Sequence, residues 1–244
     1  MPPGESHTRR RTSARPARAQ SARRAVASGE SGSGLAPHSG AISGSGLIIV
    51  TNNSTLILSG ANTYAGVTAI GPGTLKLGAS NRIPDGAGKS NAEIRGTLDL
   101  NGFNDTVNAV TGTGYVDVTG GGTSILTVGA NNTTATFGGV MRNTAGALSL
   151  TKTGSGTFTL TGANTYDGAT TIGAGVLQVG AGGTTGALGD GPLTISGTQL
   201  TVNRSNAITF TNTMSGSGTI SKPGANTVTY GGTSTFAGTV SQTG

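Results

Sequence analysis

Two aspartates fill the same slot in two similar phrases, Asp99 in GTLDLNG (96–102) and Asp117 in GYVDVTG (114–120). If those phrases stack in register, both carboxylates point outward and lie close. Such a pair can hold Ca²⁺ or serve as acid and base on a polysaccharide. Against this, Lys76, Gln178 and Thr159 fill the same slot elsewhere, as any soluble residue could. Residues 31–244 carry seven Asp or Glu with no obvious cluster, so catalysis is not expected and no cofactor is called for. Asp99 and Asp117 stand only as the candidate metal ligands.

Other chemistries fail on residue type. The two histidines, His7 and His38, precede the repeated region, so a Ser-His-Asp triad there has no base. There is no cysteine, hence no disulfide, thiolate metal site or cysteine nucleophile. GAGKS (86–90) imitates the end of a phosphate-binding loop, but Ile83 stands where that loop needs glycine, and a short strand follows instead of a helix. Tyr64, Tyr166 and Phe236 recur at one repeat position. A row of rings can stack on sugars, but the expectation is that each packs on the solenoid edge or core and pins a turn.

The elements that must position these residues are short. Gly, a variable residue, then apolar–polar–apolar recurs in GTLKLG (73–78), GTLDLNG, GYVDVTG, GTFTLTG (156–162), GVLQVG (175–180) and GPLTISG (191–197). Period 2 marks strands with one buried face, and each strand is three to five residues long. Glycine and asparagine close the turns, through positive φ or, for glycine, through close backbone approach. One such strand cannot bury its apolar face alone, but a stack can. Leu56, Leu75, Leu98 and Val116 hold comparable places in successive strands. Coils of about 20 residues with two or three strands, roughly 4.8 Å apart, read as a β-solenoid with Thr and Asn ladders on stacked positions.

Composition agrees. Glycine supplies 45 of 244 residues and only 33% are hydrophobic, too few for one large central core. The net charge of +6 sits in residues 1–30, which hold seven Arg against two Glu; the remainder is near neutral. Residues 1–45 read as a disordered Arg/Ser/Gly-rich tail or linker and 46–244 as the repeat region. An Arg-rich tail could contact phosphates, but the body has no basic cluster and no nucleic acid is expected as partner. No apolar stretch of signal-peptide length follows the charged N-terminus.

The stretch at 156–180, GTFTLTGANTYDGATTIGAGVLQVG, and the one at 54–78, STLILSGANTYAGVTAIGPGTLKLG, agree at 14 of 25 positions without a gap. These resemble the autotransporter-associated β-strand repeat, or passenger-associated transport repeat. The matching residues are Gly60, Asn62, Thr63, Tyr64 and Gly66 in one copy and Gly162, Asn164, Thr165, Tyr166 and Gly168 in the other. A degraded third copy at 228–240 has Ser234 for the asparagine, Phe236 for the tyrosine, and Gly238. The resemblance implies an all-β, right-handed parallel β-helix, secreted or displayed on the bacterial surface, non-catalytic, supporting export and adhesion. A host-cell surface, matrix or polysaccharide ligand and a membrane barrel in the full-length protein are the partners it implies. Gly244 falls in mid-repeat with no barrel before it, so the chain reads as an incomplete piece. The competing reading is a carbohydrate-active β-helix enzyme, a lyase or hydrolase.

Overall fold

The computed structural model describes residues 20–21, 25–27, 37–196 and 198–243. The other residues of the predicted tail, and the arginines among them, lie outside the described residues. What is described is all strand, with no helix, and forms a parallel β-solenoid of about 9 turns. No described helix is therefore long and apolar enough to cross a membrane.

The spine is an 11-stranded parallel sheet. Its strands run from Ala25–Ala27 through Ile48–Val50, Thr68–Ile70, Ala92–Ile94 and onward to Thr239–Gln242. Each turn lays one strand on the last in fixed register: Val50 on Ile70, Ile70 on Ile94, Phe158 on Leu177, Leu177 on Leu200, Leu200 on Ile220. Turn length varies. Ala92 meets Val110 on the next turn, whereas Gly112 meets its partner only at Phe137, and corners and loops absorb the difference. Pairing begins before residue 46: Gln20–Ser21 pairs with Ile42–Ser43, and Ala25–Ala27 with Ile48–Val50.

Two further faces complete the cross-section. A five-stranded sheet runs from Ser54–Leu58 to Val140–Met141, and a six-stranded sheet from Asp105–Val107 to Met214–Gly216. The inward columns are aliphatic, Leu56–Leu75–Leu98–Val116–Met141 on one face and Leu126–Leu150 on another, all buried. The core is thus a thin axial stack in which each turn shields the next, which is how a chain one-third apolar can stay folded. Removing one such side chain costs about 2–5 kcal/mol.

Asparagine takes positive φ at several corners, Asn101 at 52° and Asn132 at 63° among them. The motif glycines Gly60, Gly162 and Gly238 do not use it. A methyl group on Gly60, Gly162 or Gly238 would overlap the carbonyl oxygen of Gly40, Gly139 or Gly218 on the turn before. They are glycines because backbones pass in contact there.

Candidate functional site

The two repeat copies occupy different faces of the prism. In the first, the chain leaves the five-stranded sheet at Leu58, turns through GANTYAG and enters the spine at Thr68. In the second it leaves the spine at Leu160, turns through GANTYDG and enters the six-stranded sheet at Thr170. Each corner stands where a strand would otherwise lie, so each interrupts one face.

The motif asparagine carries the ladder across the gap. Asn62 accepts the Ile42 N–H at 2.9 Å from the turn before and donates to the Arg82 carbonyl at 2.8 Å in the turn after. Asn164 does the same with the Met141 N–H at 2.8 Å and the Ala187 carbonyl at 2.7 Å. A side-chain amide has the donor and acceptor of a peptide group, so it can replace the missing strand residue. Thr63 and Thr165 add backbone bonds, donating their N–H to Ile42 and Met141 carbonyls. In consequence Gln20–Ser21/Ile42–Ser43 and the six-stranded sheet are one face bridged by the first motif. The five-stranded sheet and the pair Ile208–Phe210/Val228–Tyr230 are another, bridged by the second.

Tyr64 and Tyr166 point inward, 2% and 0% exposed. Their hydroxyls pair with the threonine four residues on, Thr68 at 2.6 Å and Thr170 at 2.7 Å, and burial holds both phenols above the usual tyrosine range. That spacing explains the T of NTY-x-G-x-T: a buried phenol needs a partner, and the next strand's first inward residue supplies it. Gly66 and Gly168 follow each tyrosine because the preceding turn's backbone runs against them. In the third copy Ser234 pairs by backbone with Met214, its hydroxyl accepts the Phe236 N–H at 3.1 Å, and Phe236 is only partly buried against the core. Without the asparagine the bridge shrinks to ordinary backbone pairing.

Asp99 and Asp117 are register partners, yet each is 2% exposed rather than facing solvent, because neighbouring side chains close over them. Asp99 takes Lys76 Nζ at 3.1 Å, the Asn101 N–H at 2.9 Å, the Thr119 N–H at 3.1 Å and the Thr119 hydroxyl. Asp117 takes Arg142 Nε at 2.8 Å, the Val118 N–H at 2.8 Å and both polar groups of Thr144. Arg142 also lies over the Tyr115 ring, 4.1 Å from its centroid. The order Lys76, Asp99, Asp117, Arg142 is a charge ladder over four turns in which each acid has its own cation. Among the described residues no three His, Cys, Asp or Glu come together as a metal-binding group.

Sequence reasoning passed over Lys152. It sits in the inward column between Val128 and Ile172, fully buried, and its ammonium donates to the carbonyls of Thr153, Gly154 and Ala174. Burial lowers its pKa. The signal was present: in ALSLTK, period 2 through Leu148 and Leu150 lands on Lys152.

The family model for the passenger-associated-transport repeat matches residues 48–77 and 150–179. Over 144 residues, 57% of this chain, it is 36% identical to the Adhesin BmaC autotransporter of Brucella suis biovar 1 (strain 1330). The aligned stretch spans 4% of that relative's length. No solved structure matches the chain. The chain thus carries two passenger-associated-transport repeats, each bridging one interrupted face of a parallel β-solenoid, and over part of its length it is similar to an autotransporter adhesin.

Proposed function

We propose that the chain is a non-catalytic stalk whose repeats support export and folding and whose rod presents an adhesive surface. The observation that carries this reading is the use made of the motif residues. Asn62, Asn164, Tyr64 and Tyr166 commit their polar groups to the adjoining turns, so the residues that define the repeat build ladder. Each motif asparagine becomes fully bonded only when three consecutive turns are in place. It therefore favours turn-by-turn folding outside the membrane, which would draw the chain outward. The acids best placed for polysaccharide chemistry are held by Lys76 and Arg142, which supports a mechanical role over a lyase or hydrolase. The name of the Brucella relative, an adhesin, supports adhesion, with a host-cell surface, matrix or polysaccharide as ligand and a membrane barrel in the full-length protein.

The test is a pair of in-register deletions in the full-length protein. Removing residues 158–176 joins Thr157 to Leu177 and takes out one motif, while removing 200–219 joins Gln199 to Ile220 and takes out a turn without one. Surface yield should fall several-fold for the first and little for the second. Equal yields would refute the export role.

A further inference from the structure

The loop at 78–91 lies between the first motif corner and the turn that starts at Asn104, and one carboxylate fastens it. Asp105 Oδ2 accepts the N–H groups of Arg82 at 2.8 Å and Ile83 at 3.2 Å, which seats the Ile83 side chain in the core. Asn108 secures the far side of the loop, bonding Gly86 at 2.7 Å and Lys89 at 2.7 Å. Asp105 itself is 1% exposed, and its other oxygen, Oδ1, is buried with no partner. Arg82 Nε and Ser124 Oγ are also buried without one. Three of the four such atoms in the described residues thus belong to this loop and the two strands stacked on it. An unmatched acid oxygen in a native interior asks for an explanation.

We propose that Asp105 is a proton-operated latch on the 78–91 loop, which holds the loop closed while protonated and releases it on ionisation. Oδ1 is the reason. As a neutral carboxyl, Asp105 still offers Oδ2 to both N–H groups; as a carboxylate, it must keep an unsolvated charged oxygen unless the loop lifts and admits water. The groups facing it are few: Asp85 and Arg82 on the loop and Tyr64 on the corner below. The strand above, Thr123–Val128, brings no ionisable side chain. Burial is the largest influence and pushes the carboxyl up to about 7, with Asp85 adding to it; Arg82 and the two N–H groups oppose.

The sign follows. The closed loop binds the proton more tightly than the open loop, where the carboxyl returns to its ordinary value of 3.8. Closure is therefore firmest in acid, weakens as pH climbs from about 4 to about 7, and changes no further above that. The equivalent loop after the second motif provides an internal control. There Arg204 donates to the carbonyls of Thr184 and Gly186, and the loop's own acid, Asp190, is exposed. A guanidinium keeps its charge throughout this range, so that loop should not respond.

Hydrogen exchange of the whole chain, corrected for intrinsic rates and read between pH 4.5 and 8, tests the latch. Opening of 78–91 should rise on the order of tenfold per pH unit up to about pH 6.5 and then level off, while 181–191 stays flat. Asp105→Asn, whose amide oxygen can still accept both N–H groups, should abolish the dependence. Parallel profiles for the two loops, or an unchanged slope in Asp105→Asn, would overturn the proposal. Should that variant not fold, infrared spectroscopy of the wild-type chain decides alone: a protonated-carboxyl band that persists to pH 6 supports the latch, and its disappearance by pH 5 refutes it.

Discussion

A repeat that spells NTY twice in a chain with few polar anchors invites the question of what each side chain contributes. Asn164 and Tyr166 differ in kind. Replacing Asn164 with Ala strands two backbone groups on separate turns, the buried Met141 N–H and the half-buried Ala187 carbonyl. That should cost about 3 kcal/mol, since each unpaired buried group costs about 1–3. Tyr166→Phe keeps the ring in place and leaves the Thr170 hydroxyl and the Gly189 backbone without the phenol oxygen, so about 1–2 kcal/mol is expected. Urea denaturation of both variants should rank them in that order; the reverse rank would show that the asparagine is not the bridge. The importance of these residues was legible in the sequence as repetition. Their role was not, because the ladder expected from stacked Thr and Asn links like side chains, whereas this amide links to backbone two turns apart.

Between strands, the charge ladder answers the question that Asp99 and Asp117 posed. Their shared register could be read from spacing alone; their burial could not, because it depends on Lys76, Thr119, Arg142 and Thr144 arriving from neighbouring turns. Calcium would have to displace Lys76 and Arg142 as well as four or more N–H and O–H donors. Thermal unfolding should therefore shift little on adding calcium or chelator, for wild type and Asp99→Asn alike. Asp117→Ala, by contrast, should lose about 3 kcal/mol or more, because it removes the acceptor for the Val118 and Thr144 N–H groups. A calcium-dependent rise in wild-type stability that Asp99→Asn abolishes would reinstate the metal pair.

At the scale of the molecule, one uninterrupted 11-stranded sheet carries two faces that can be broken and bridged. Corners and loops of varying length let a short turn, Ala92 to Val110, and a long one, Gly112 to Phe137, coexist in the same rod. The stack was legible because period 2 and glycine punctuation are local signals. Which face a motif interrupts was not, since it follows from the running count of strands per turn. Such a rod should tolerate loss of a whole turn but not of part of one. Deleting 200–219 leaves Gln199 followed by Ile220, so inward and outward positions still alternate. Deleting 201–219 instead sets inward Leu200 directly before Ile220 and flips every side chain after the junction to the wrong face. Circular dichroism and limited proteolysis should find the first variant folded and slightly less stable. In the second, residues C-terminal to the junction should be digested, while the turns before it survive as a shorter rod. Global unfolding of both variants would contradict nearest-neighbour stacking, because in a solenoid each turn is held only by the turns it touches.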